Sequence, residues 1–381
     1  MSCLDQSNRR ASYMTIAKSL IDLHCIGYSP ISDKDVVKSR NINICVMEYQ
    51  IRLETRNAKK PVFSSVPLHH MNTKKSSNKG LELVKAILQD KARFQQYVHQ
   101  RFNQINEMEL MRSTSPQYQH EEANRNKKLN RYFNIVPFDN NCIKLTDTRL
   151  GQSDDDYINA SWILAPYNIP RFYIATQGPT STTLIDFWRM VVEKHVPVIV
   201  CLTPQMESGM EKCGRYWPLQ DDDLVLKSGN GNIRVVVKNS KKERKDTEAD
   251  CIVRSLAVEF YYNDEKVEQA SVTQLQFLGW PDHGVPKETN KVIALIKLTR
   301  QLQEANKPVL VHCSAGCGRT GTFCVIDTAE TLLRMNQHDV LIDPIFAITD
   351  EFRKQRTTMV QAESQFAFCY RALNDFFEQE E

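Results

Sequence analysis

Residues 311–321 read Val311-His312-Cys313-Ser314-Ala315-Gly316-Cys317-Gly318-Arg319-Thr320-Gly321, a run of small residues carrying the thiol Cys313 and the guanidinium Arg319. A short apolar run, Pro308-Val309-Leu310-Val311, precedes it, and apolar residues recur at helical spacing over 322–335. The pattern predicts strand, tight loop, helix. Successive backbone N–H groups in such a loop converge on one point, and the helix N-terminus adds positive potential there. The result is an oxyanion cradle of phosphate size. At its floor, Cys313 meets those N–H groups, the helix dipole and the Arg319 cation, all of which favour a thiolate. Arg319 can hold two equatorial phosphate oxygens with its planar fork. Nucleophile and electrophile clamp therefore share one loop.

A chain of 381 residues can hold one large domain with an extension, or two domains. With 41% hydrophobic and 25% charged residues, its composition is that of a globular protein. No apolar run approaches the ~20 residues of a membrane span. Asp5, Arg9, Arg10 and Lys18 interrupt any secretory core at the N-terminus, so a cytoplasmic protein is expected, with nuclear entry open. The 11 cysteines show no pairing pattern and no doubled CxxC, which predicts reduced thiols and no zinc site. Residues 1–80 carry 13 Lys and Arg against 6 Asp and Glu, which leaves 36 against 40 for 81–381. The first segment is thus a basic, largely irregular extension, with linker-like runs at Lys59-Lys60-Pro61 and Lys74-Lys75-Ser76-Ser77 and one short helix over 16–26. A single domain is expected over 81–381. It opens with one amphipathic helix over 81–101 that carries Leu83, Ile87, Phe94 and Val98. Runs such as Val196-Pro197-Val198-Ile199-Val200 read as buried strands between helices, so the class is α/β.

The 311–321 string resembles the signature loop of the cysteine-based, tyrosine-specific protein tyrosine phosphatases of non-receptor type. From Asn124 onward the chain follows that family in order and spacing, and the likeness covers roughly 81–378. It implies one catalytic domain with a central twisted mixed sheet flanked by helices. In Lys128-Leu129-Asn130-Arg131-Tyr132 it implies that Tyr132 walls a cleft deep enough for phosphotyrosine and too deep for phosphoserine. Asn134 is then a departure, standing where many members carry an Asp that grips the substrate backbone. Trp280-Pro281-Asp282-His283-Gly284-Val285-Pro286 resembles the family's mobile acid loop, with Trp280 supporting and Asp282 as general acid and later base. Gln355-Arg356-Thr357-Thr358-Met359-Val360-Gln361 resembles the glutamine loop. There Gln361 positions water, Gln365 assists, and Thr358 replaces a glycine found in members with an open second phosphate site.

The resemblance further implies that Glu207 orients Arg319, that Lys212 sits near the acid loop, that His312 supports the cradle and that Thr320 bonds the departing sulfur. Ser314, Ala315, Gly316, Cys317 and Gly318 complete the phosphate cradle. No metal and no cofactor are called for, because the cradle already supplies positive charge. Phosphotyrosine proteins are the expected substrates. A monomer is expected, with neither nucleic acid nor membrane as partner. A low-pKa thiolate is readily oxidised, so reversible inactivation at Cys313 follows. A dual-specificity or lipid phosphatase would share the Cys313 loop but lack the Tyr132 and glutamine loops. A silent recognition module would have lost Cys313, Arg319 or Asp282, and all three are present.

In the extension, Lys38-x-Arg40-x-Ile42-x-Ile44 resembles peptides that dock on mitogen-activated kinases and equally reads as an ordinary solvated basic segment, and Arg9-Arg10-Ala11-Ser12 fits a basophilic kinase site. If the first motif docks, Lys38→Glu with Arg40→Glu abolishes co-purification of such a kinase; unchanged co-purification rejects it.

Overall fold

The structure, a computed structural model, describes residues 78–147, 150, 156–219, 222–281, 284–335 and 343–379. The 16–26 helix, the linker runs, the Lys38-to-Ile44 motif and Asp282 lie outside the described residues.

Two helices open the described chain, α1 (Lys79–Leu88) and α2 (Lys91–Arg112), where the apolar spacing predicts one. Asp90 makes the difference. Its carboxylate accepts from the Arg93 N–H at 2.9 Å, and as an N-cap with extended backbone it ends one helix and starts the next. The short α3 (Glu121–Arg125) leads to β1 (Cys142–Lys144), β2 (Tyr157–Leu164) and β3 (Phe172–Thr176). Then come α4 (Leu184–Glu193), β4 (Val198–Cys201) and the hairpin β5 (Met206–Glu207) with β6 (Met210–Glu211). Five strands follow in sequence: β7 (Leu224–Lys227), β8 (Ile233–Asn239), β9 (Arg244–Asp246), β10 (Cys251–Tyr262) and β11 (Glu265–Phe277). The chain closes with α5 (Asn290–Leu302), β12 (Val309–His312), α6 (Gly318–Arg334), α7 (Pro344–Arg353) and α8 (Glu363–Glu378).

Among the described residues, ten strands form one sheet in the order β1-β2-β3-β12-β4-β11-β10-β8-β7, with β9 paired to β10. β12 runs parallel to both neighbours, Val311 lying opposite Ala175 and Val200, and β4 runs parallel to β11. The outer pairs are antiparallel, so the sheet is mixed, as the resemblance implies. Parallel strands covered on both faces must be apolar on both, which explains the unbroken Val309-Leu310-Val311 run. Val309, Val311, Val198, Val200 and Tyr173 join the cluster formed with α5 to α8, while Leu310, Ile199 and Ile174 join Phe187 and Trp188 of α4. A slip of one residue would exchange the two sets, so β12 is pinned in register. Its carboxyl end therefore delivers Cys313 to a fixed place, where open α/β sheets bind their ligands.

The loop between α7 and α8 carries backbone strain. Thr358 and Val360, both β-branched, have φ of 54° and 60°. Glu109 of α2 holds this loop, accepting from the Thr358 N–H at 2.8 Å and the Thr357 hydroxyl at 2.9 Å. Buried Arg353 donates to the carbonyls of Met359 (2.9 Å) and Val360 (2.7 Å) and pairs with Glu109. Residue 361 is fixed as a result. Because Leu310 is fully buried at the sheet centre, Leu310→Ala is expected to lower unfolding free energy by about 2–5 kcal/mol in a denaturant titration.

Candidate active site

Cys313 follows β12 and is 5% exposed, at the floor of the turn into α6. The Gly316 N–H donates to its sulfur at 3.3 Å and the Thr320 hydroxyl at 3.4 Å. Burial alone would push the thiol pKa up. The Thr320 hydroxyl and N–H, the Arg319 cation and the Gly316 N–H outweigh it and hold Cys313 below the ordinary thiol value. Gly316 has φ 74°, and a Cβ there would lie 2.1 Å from the Thr176 carbonyl oxygen, so only glycine lets the turn close. Cys317 behaves differently. It is fully buried, and burial together with the neighbouring Cys313 charge pushes its thiol up to about 11, so of the two thiols in the turn only Cys313 is held below the ordinary value.

Arg319 projects from the first turn of α6 and is clamped. It donates to both Glu207 oxygens at 3.1 and 2.9 Å, to the Leu202 carbonyl at 3.2 Å and to the Pro281 carbonyl at 3.3 Å. Pro281 immediately precedes Asp282, and the Trp280 indole donates to the Gly284 carbonyl at 3.2 Å. His312 is fully buried between the Cys313 carbonyl (Nδ1, 3.0 Å) and the Tyr216 hydroxyl (Nε2, 2.7 Å). A carbonyl only accepts, so Nδ1 carries the proton and, in the neutral ring, Nε2 accepts from Tyr216. The Tyr132 hydroxyl lies 2.9 Å from the Ser314 hydroxyl, and Asn134 is exposed beside it. Gln361 and Gln365 both come to the cradle mouth: a Cβ on Gly318 would sit 3.2 Å from the Gln361 Oε1 and 3.0 Å from the Gln365 Nε2. Lys212 follows β6, its N–H on the Gln205 carbonyl at 2.8 Å. Ala315 belongs to the same turn, and Gly318 opens α6.

A buried nucleophile of lowered pKa, facing converging N–H groups and a clamped guanidinium, is equipped to take a phosphoryl group. The comparisons agree with this chemistry. The family model described as protein-tyrosine phosphatase matches residues 126–375. The chain belongs to the protein-tyrosine phosphatase family. Tyrosine-protein phosphatase non-receptor type 12 of Homo sapiens is 37% identical over 260 residues, 68% of this chain and 31% of the relative. Protein-tyrosine-phosphatase PTP1 of Arabidopsis thaliana is 39% identical over 256 residues, 66% of this chain and 71% of the relative. The chain thus spans about a third of the first and most of the second. The crystal structure of the catalytic domain of human protein tyrosine phosphatase non-receptor type 18 superposes with a TM-score of 0.65 at 30% identity, covering 78% of this chain and 99% of that one.

One member of this family site escapes the sequence reading: Arg356. Fully buried, it donates to the Gly316 carbonyl at 2.7 Å and the Ala315 carbonyl at 3.0 Å, turning both outward so that the N–H groups point in. It also donates to Ser161 (3.1 Å) and to Asn159 (2.8 Å), whose amide reaches Asn130 and the Ile135 carbonyl, both at 2.9 Å. The Tyr132 loop and the cradle are thereby joined through one guanidinium. Nothing in local spacing separates such an arginine from a surface one.

Thr320 supplies two of the groups that stabilise the Cys313 thiolate. Thr320→Ala is expected to move the acid limb of Cys313 alkylation to higher pH and to lower kcat about ten-fold, one charge-assisted hydrogen bond's worth. Thr320→Ser, which keeps the hydroxyl, should stay near wild type on both measurements.

Proposed function

We propose that the chain hydrolyses phosphotyrosine in proteins through a phosphocysteine intermediate. The observation that carries this is the Cys313 thiol, held below its ordinary pKa by convergent donors while buried beside the clamped Arg319. The thiolate attacks phosphorus, and the cradle N–H groups with Arg319 stabilise the equatorial oxygens as charge develops on them. Asp282 protonates the tyrosyl oxygen as it leaves. Gln361, with Gln365, then positions a water, Asp282 takes its proton, and Thr320 donates to the sulfur expelled from phosphorus. Glu207 and His312 act by holding Arg319 and the cradle in place. Tyr132 stacks on the substrate ring at the cleft wall, an aromatic contact worth about 0.5–1.5 kcal/mol. Protein tyrosine phosphatase non-receptor type 18 has been solved in complex with HER2 phosphopeptides, which supports phosphotyrosine peptides as substrates of this chain too.

In the same reading, residues 81–381 are the catalytic domain of a monomeric cytoplasmic signalling enzyme. Residues 1–80 are its basic extension, which docks a mitogen-activated kinase through Lys38, Arg40, Ile42 and Ile44, the kinase being a candidate substrate. Among the described residues no helix is long and apolar enough to cross a membrane.

The decisive assay compares a phosphotyrosine peptide with its phosphoserine twin in chelator. Wild type is expected to turn over the first alone, Cys313→Ser to lose turnover, and Asp282→Ala to lose about 10²–10⁴ in kcat. Tight phosphopeptide binding without any turnover by wild type would make the chain a recognition module instead.

A further inference from the structure

Arg319 is held by groups on two segments that leave the sheet side by side. The Leu202 carbonyl and Glu207 follow β4, and the Pro281 carbonyl follows β11. β4 and β11 are parallel neighbours, with Cys201 opposite Gln276 at their carboxyl ends. There the sheet face that packs on α4 turns from apolar to polar. Arg254 of β10 lies opposite Gln274, and Gln276, Cys201 and His312 carry the row on toward the cradle. None of these side chains is more than 6% exposed. Buried polar groups cost stability unless hydrogen-bonded, and apolar residues of like volume often hold a core as well or better. The polar row is therefore explained by what its hydrogen bonds hold.

Those bonds converge on Gln276. The Arg254 guanidinium donates to the Oε1 atoms of Gln274 and Gln276, both at 2.8 Å, and to Glu243 at 2.9 Å. A guanidinium only donates, so the Gln276 oxygen faces it, and Nε2 is left to donate to the Thr203 carbonyl at 3.2 Å. Thr203 sits in the segment that carries the clamp. Leu202, just before it, donates its N–H to the His312 carbonyl at 2.8 Å and accepts from Arg319. Pro204, just after it, has a φ fixed by its ring. Only Gln205 and Met206 then separate Pro204 from Glu207. A displacement at Thr203 is thus passed to both groups that this segment offers Arg319. Gln276 also stands five residues before Pro281 on the other segment. One buried amide staples the two together.

We propose that Gln276 is a positioning residue for the Arg319 clamp. Braced by Arg254, its amide fixes the Thr203 carbonyl and so sets where Glu207 and the Pro281 carbonyl meet the guanidinium. Gln276 acts through Arg319 rather than on the substrate. The planar fork must match the equatorial oxygens most closely while the phosphoryl group passes from oxygen to sulfur, so a loosened clamp costs more in the transition state than in substrate binding.

This inference rests on the phosphotyrosine-hydrolase reading, and the test separates the two. Gln276→Glu keeps an acceptor for Arg254 and removes the donor to Thr203. With the full chain and para-nitrophenyl phosphate, it is expected to lower kcat about ten-fold and leave KM within about two-fold. Inhibition by orthovanadate, which takes up the geometry of the transferring phosphoryl group, should weaken by about the same ten-fold, with the denaturation midpoint near that of wild type. Gln276→Met, close in volume and uncharged, should behave alike and replaces the first variant if a buried carboxylate prevents folding. In a Glu207→Ala background, where the clamp is already open, the Gln276 substitution should cost less than about two-fold more. Lower turnover with unchanged vanadate inhibition overturns the proposal, because a smaller folded fraction lowers kcat and leaves the inhibition constant alone. A ten-fold loss repeated in full in the Glu207→Ala background overturns it too. Failure of wild type to turn over para-nitrophenyl phosphate overturns the hydrolase reading, and this inference with it.

Discussion

The constraint on which the rest of the structure depends is the burial of a thiol whose surroundings favour its charged form. A negative charge removed from water costs several kcal/mol unless the protein replaces the lost hydration. At Cys313 the replacements are the Gly316 and Thr320 donors and the Arg319 cation, and each depends on something further away. The Gly316 N–H points inward because Arg356 holds the carbonyls of Ala315 and Gly316 outward. The turn closes because residue 316 has no Cβ to strike Thr176. α6 begins where it does because β12 is pinned between two parallel neighbours. The sheet, the buried arginine and the glycine all serve one sulfur atom.

The same logic governs the groups around the cradle. Arg319 would be a flexible surface side chain without Glu207, which spends both carboxylate oxygens on it, and without the Leu202 and Pro281 carbonyls. The glutamine loop holds two β-branched residues at positive φ, a strain of about 1–3 kcal/mol each that persists only where surrounding contacts over-determine the backbone. Glu109 and Arg353 provide those contacts from two helices, α2 and α7, so α2, remote in sequence from the chemistry, is part of its support.

Much of this was legible in the sequence, for a physical reason. The cradle, the following helix and the nucleophile are contiguous, and local steric rules connect small residues, a tight turn and a helix N-terminus directly to anion binding. The Val309-Leu310-Val311 strand and the α/β class likewise follow from apolar runs bounded by turn residues. Family likeness extended this reading to Tyr132, Glu207, Gln361 and Gln365, which no local rule could have brought together. The single opening helix was misread because a 3.6-residue apolar period continues across Gln89 and Asp90, and only the capping preference of Asp90 argued for a break.

What the sequence by itself determined, then, is the local setting of Cys313: what loop surrounds the thiol and which elements flank it, since these rest on neighbours in the chain. What only the tertiary structure decided is where long-range partners meet. Arg356 beneath the cradle, Glu109 under Thr358 and Tyr216 on His312 each join segments dozens to hundreds of residues apart. No periodicity encodes such meetings. They follow from how the sheet and helices close around a common core, and burial, which separates a structural arginine from a surface one, exists only once that core has formed.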